Sequence, residues 1–149
     1  WSIVQKTFII PVSNLATLRV TDTFGAQGSS TDNFIAIGLA YVENYQTCWR
    51  VRQNRFSNRF GISVTVENIG NADIDNLILT LTSVPSNRHI VSDLSDLGNL
   101  TSGAQVATAC DYAAKTADII TDVNRRISPT GDWSWQAEFD SGGEHYVIP

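Results

Sequence analysis

The segment Ile62-Ser63-Val64-Thr65-Val66-Glu67-Asn68-Ile69-Gly70-Asn71-Ala72-Asp73 alternates apolar and polar side chains and then breaks at a polar, glycine-bearing turn. A period of two places Ile62, Val64 and Val66 on one face of a strand and Ser63, Thr65 and Glu67 on the other. The same period returns at Leu77, Leu79 and Leu81, and again at Trp133, Trp135, Ala137 and Phe139. Strands that bury one face and wet the other belong to antiparallel sheets, and such sheets pack as a sandwich. The expected fold class is all-β.

Outward from this segment, strand-like runs lie at residues 3–10, 16–24, 34–42, 47–53, 61–68, 76–84, 105–112, 118–123, 133–139 and 144–148. Clusters at 25–33, 68–71 and 141–143 have the composition of turns. Residues 92–97 and 111–115 lack β-branched runs and can each hold a helical turn. At 149 residues the chain suits one domain, 1–149. The longest apolar stretch, residues 34–42, is interrupted by Gly38 and falls far short of the roughly 20 residues of a membrane helix.

The net charge of −5 argues against nucleic acid as a partner. Ser, Thr, Asn and Gly are plentiful and lysine is confined to Lys6 and Lys115, a surface typical of secreted or cell-surface proteins. Cys48 and Cys110 each lie in a strand-like run, and two readings stand: a disulfide between the sheets, or two buried thiols. Neither has a Cys or His neighbour at zinc-ligand spacing. Trp1 is an unusual first residue for a translated chain, as expected after removal of a leader.

Residues 1–11 stand apart. Trp1, Ile3, Val4, Phe8, Ile9 and Ile10 make a β-prone apolar strand, closed by Pro11. Such a strand can pair with its own sheet edge, or it can be exchanged into a neighbouring copy.

The run from Val64 to Ala72, followed by Leu97-Gly98-Asn99-Leu100-Thr101-Ser102-Gly103, resembles a CARDB-type domain, a family of immunoglobulin-like adhesion modules of prokaryotic cell surfaces. The stretch from Trp133 to Asp140, followed by Ser141-Gly142-Gly143-Glu144, is similar to that family's last hairpin. The resemblance covers the C-terminal two-thirds and implies an Ig-like antiparallel β-sandwich, here with extra N-terminal strands. In the turns, Asn68 and Gly70 suit a side-chain-to-backbone hydrogen bond and a positive φ, with Gly98 and Gly103 in similar roles.

No enzyme motif emerges. His89 and His145 lie in loop-like settings without a nucleophile pattern, and there is no phosphate loop or other cofactor motif. Asp73, Asp75, Asp93 and Asp96 fall in expected loops, but their spacing matches no EF-hand. Arg50, Arg52, Arg55 and Arg59 form a basic strip with Phe56 and Phe60 interleaved, suited to an acidic partner, a polysaccharide or an acidic neighbouring subunit. Trp133 and Trp135 share one side of a strand and could form a sugar platform, although Ala137 and Phe139 continue that side as a core face. Asn99-Leu100-Thr101 is an N-glycosylation sequon in an expected surface loop.

The expected role is structural or adhesive: a self-associating subunit of a cell-surface filament. The alternative is a carbohydrate-binding or adhesion module of a larger secreted protein.

Overall fold

The structure, a computed structural model, describes residues 15–21, 25, 27–33 and 37–149. The N-terminal strand expected at residues 1–11, with Trp1, Ile3, Val4, Phe8, Ile9 and Ile10, lies outside the described residues. In chain order the strands are β1 (Leu15–Thr21), β2 (Gln27–Asn33), β3 (Leu39–Arg52), β4 (Ser57–Asn68), β5 (Ile74–Ser83), β6 (Arg88–Ser92), β7 (Leu94–Leu100), β8 (Gln105–Ala107), β9 (Cys110–Asp111), β10 (Thr116–Ala117), β11 (Ile119–Asn124), β12 (Ser134–Ser141) and β13 (Glu144–Ile148). No helix occurs among the described residues.

Two antiparallel sheets form the sandwich. The first runs β3-β4-β11-β6 with β8 also on β4, and the second runs β13-β12-β5-β7. The three alternating runs meet between them. Ile62, Val64 and Val66 of β4 face Leu77, Leu79 and Leu81 of β5 and Trp135, Ala137 and Phe139 of β12, and all nine are buried. Each such side chain contributes up to about 1.5–3 kcal/mol on leaving water. Their burial fixes the register, because a one-residue slip would turn the whole set to solvent.

Some local expectations change. The cluster at 25–33 contains a strand: Gln27–Asn33 pairs along its full length with β1, and among the described residues these two strands pair only with each other. Of the runs expected at 34–42 and 47–53, residues 39–42 and 47–52 belong to a single long strand, β3, whose pairing with β4 shifts register at three points. Residues 92–97 are not helical. They carry the chain from β6 in the first sheet to β7 in the second, with Asp118 holding the crossing through Ser92 Oγ and Ser95 Oγ, each at 2.6 Å. Residues 112–115 are the turn of the β9–β10 hairpin, where Asp111 accepts from the amides of Ala113 and Ala114.

The sheets are joined at Asn68, which has no exposed surface. Its Nδ2 donates to the carbonyls of Ala72 at 2.8 Å and Leu100 at 3.1 Å, while Oδ1 accepts from the Gly70 amide at 3.0 Å. Its backbone bonds Ala104 and Gly103. The chain crosses between sheets at 69–73 and again at 101–104, so one carboxamide ties both crossings. Gly98 (φ 67°) and Gly103 (φ 78°) adopt the left-handed conformation expected of them. Gly70 does not, and its turn is made by the Asn68 side chain instead.

Cys48 and Cys110 are disulfide-bonded, with Cα atoms 6.4 Å apart. The bridge does not join the two sheets. It ties the β9–β10 hairpin, which belongs to neither sheet, to edge strand β3. Closing a loop with a sequence separation of 62 constrains the unfolded chain by about 4 kcal/mol in the chain-entropy model.

Beside the bridge, Trp49 is buried but lies outside the sandwich core. Its cross-strand partner is Gly61, on the β4 face opposite Ile62. The indole rests on that glycine so closely that a Cβ there would come within 2.3 Å of the ring, and Nε1 donates to the Thr116 carbonyl of the hairpin at 3.0 Å.

Asn68→Ala leaves an amide and two carbonyls at the crossings without their partner and is expected to lower stability by roughly 3 kcal/mol in urea unfolding. Gly61→Ala must displace the Trp49 ring. It is expected to shift Trp49 fluorescence and speed reduction of the Cys48–Cys110 bridge, with unchanged emission and reduction rate contradicting this account of the packing.

Candidate functional site

The basic strip divides between two faces. The register sets Val51 beside Arg59 and Arg50 beside Phe60, so Arg50 and Arg52 lie opposite Arg59. Arg59 is not free: its Nε and Nη2 bind both oxygens of Asp122 on β11 at 2.8 and 3.0 Å, and that hydrogen-bonded pairing raises its pKa. Arg50, Arg52 and Arg55 are exposed.

Two arginines that sequence spacing did not connect to the strip join it in space. The β4–β11 pairing brings the turn after β11 against the turn before β4, where the Arg125 amide donates to Phe56 O at 2.9 Å. The Arg125 side chain donates to the Arg55 carbonyl. The Arg126 guanidinium lies 3.2 Å from the centre of the Phe56 ring, and that of Arg55 lies 5.4 Å from it. The only sequence signal was the Arg125-Arg126 pair just beyond an alternating strand.

Next to these arginines is an open groove of about 520 Å³, lined by Asn54, Phe56, Asn87, His89, Asn124 and Ile127 among others. Most of the residues that line it are of polar type, although their apolar atoms make up the larger part of its surface. Asp122 forms part of the wall but is engaged by Arg59, and the Ser86 hydroxyl is bonded to Ser128 and Thr130. Asn87 Oδ1 is shielded from solvent and accepts no hydrogen bond.

Trp133 and Trp135 do not form an exposed platform. Trp135 is a core residue at 7% exposure, and the two rings stack at 6.4 Å with 8° between their planes. Trp133 is half-buried, with the Arg88 guanidinium 4.9 Å from its ring centre and 5.2 Å from that of Phe60. Asn99 lies exposed on edge strand β7 rather than in a loop, and its Oδ1 accepts from the Asn76 amide at 3.2 Å.

His145 occupies a charged clamp on the exposed face of the second sheet. Its Nδ1 meets Asp140 Oδ1 at 2.7 Å and its Nε2 meets Glu138 Oε1 at 3.0 Å. The hydrogen bond to Asp140, aided by the charges of Asp140 and Glu138, raises its pKa above 6.5. Asp140 is held below 3.8, first by the Asn76 side-chain amide and then by His145. With both ring nitrogens occupied by carboxylates, this histidine acts as a bridge between β12 and β13. Among the described residues, Asp73, Asp75, Asp93 and Asp96 enter no group of three or more acidic, His or Cys side chains arranged to hold a metal. Among the same residues, no helix is long and apolar enough to cross a membrane.

No protein-family model, curated protein or solved structure matches this chain.

In an NMR titration His145 is expected to titrate above 6.5, and Asp140→Asn to bring it down. The stabilisation from protonated His145 is complete below pH 6.5 and fades as pH rises through its raised pKa, while that from Asp140 is complete above pH 3.8 and fades as pH falls through its lowered one. The clamp is therefore at full strength between those two values, and the stability difference between wild type and Asp140→Asn is expected to be largest there.

Proposed function

We propose that this chain is a non-catalytic structural subunit of an extracellular filament or surface assembly, pilus-like in build, whose copies join by donation of the N-terminal strand. The observation that carries this reading is the open edge of β3. Among the described residues this strand, Leu39–Arg52, pairs on one side only, with β4. A long unpaired edge is a template for a further strand, and addition of an extended segment to such an edge is an established mode of association. The apolar residues Trp1, Ile3, Val4, Phe8, Ile9 and Ile10 are the segment to fill it.

Three further features favour the reading. The β1–β2 ribbon pairs only with itself among the described residues, and a lone two-stranded ribbon is marginal in water. The Cys48–Cys110 bridge suits an oxidising compartment. Exposed arginines on an acidic molecule favour head-to-tail contacts, which extend into filaments when they do not close. We also read the sandwich as Ig-like and of the CARDB type, because the two segments that carry that resemblance meet at Asn68.

Light scattering with electron microscopy tests this. The full chain is expected to form ordered assemblies, and deletion of residues 1–10 to leave monomers that bind a synthetic peptide of that sequence. Normal polymerisation of the truncated chain would rule out strand donation. A full-length monomer of 16.3 kDa at every concentration would favour a module of a larger surface protein.

A further inference from the structure

Among the described residues, Arg50, Arg52, Arg55, Arg125 and Arg126 form no ion pair with a carboxylate, although the chain carries 15 acidic side chains against 10 basic ones. Acid is in excess, so the lack of pairing at this end reflects placement. Arg55 and Arg126 both sit over the ring of Phe56, which lines the groove together with Asn54, Asn87, Asn124 and His89. A guanidinium resting on an aromatic face is held flat while its N–H edge stays open to a carboxylate.

The groove itself calls for a hydroxyl-rich ligand. Its volume of about 520 Å³ is that of a small-molecule site. Carboxamides both donate and accept, as sugar hydroxyls do. Asn54 Oδ1 and Asn124 Oδ1 each accept a backbone amide, from Phe56 and Arg126, which holds the two carboxamides in place with their Nδ2 groups left to donate. An acidic peptide would need apolar subsites, but Phe56 and Ile127 are the only large apolar residues in the lining, and Arg126 covers a face of Phe56. Asp122 would repel an anion were it not held bidentately by Arg59.

We propose that this groove is a binding site for a short acidic saccharide, with Arg55 and Arg126 taking a uronate carboxylate and Asn54, Asn87 and His89 its hydroxyls. The site is independent of the strand-donation reading and would serve a free subunit or an assembled one.

Calorimetric titration of the full chain at physiological salt tests it, with pentagalacturonate, neutral cellopentaose and a pentaglutamate peptide as probes. Pentagalacturonate is expected to bind, with cellopentaose and pentaglutamate each weaker by about tenfold or more. Arg126→Ser and Asn87→Ala, checked for folding by circular dichroism, are each expected to weaken it by about tenfold, the worth of one good polar contact. Absence of pentagalacturonate binding overturns the proposal. Unchanged binding to Asn87→Ala, with binding lost on modest added salt, also overturns it, because the attraction is then diffuse. Equal affinity for pentaglutamate overturns it in favour of an acidic-peptide surface.

Discussion

The fold depends on the buried carboxamide of Asn68. A sandwich needs chain segments that leave one sheet and enter the other, and those segments cannot use the ladder bonds of either sheet. Here two of the crossings, at 69–73 and 101–104, lie side by side, and Asn68 supplies the missing partners to Gly70, Ala72 and Leu100. Ser102 completes the joint, its hydroxyl bonding Gly70 O and its amide Asp73 Oδ1. A fully satisfied buried amide specifies geometry in a way that apolar contacts, which tolerate sliding, do not. The apolar runs on either side hold the sheets together, and Asn68 sets how the chain passes between them.

What was legible in the sequence follows from what burial enforces. The alternating runs through Ile62, Leu77 and Trp135 had to face inward, and they do. Gln27–Asn33 and Arg88–Ser92 were not legible, because neither segment alternates apolar and polar residues. Trp49 was less legible. It is buried beside the bridge but on the other face, and the signal was Gly61, a lone glycine in a strand where another group approaches closely. The arginine end was half legible. Arg55 was visible in the strip, but Arg125 and Arg126 reach it only through strand pairing across more than sixty residues.

Charge is distributed by the same logic. Arg59 and Asp122 are cross-strand neighbours and neutralise each other, as do His145 and Asp140 across β12 and β13. Both pairs brace strands that lie next to each other in a sheet. Of the arginines without such neighbours, Arg55, Arg125 and Arg126 lie between strands, and Arg50 and Arg52 have Phe60 and Asn58 as cross-strand partners, so no opposing residue supplies a carboxylate. The charges left without an ion pair are thus those the ladder geometry cannot match.

The covalent bridge has a mechanical consequence. It closes a loop from Cys48 to Cys110 that contains all of β4, β5, β6, β7 and β8. If the two ends of the chain are pulled apart, tension passes through the bridge and bypasses the whole of that loop. The separation of 62 residues corresponds to about 200 Å of extended chain that cannot be paid out while the bridge stands. The joint at Asn68 lies wholly within that protected length, so the molecule can yield at its ends while the crossings at 69–73 and 101–104 carry no load along the backbone.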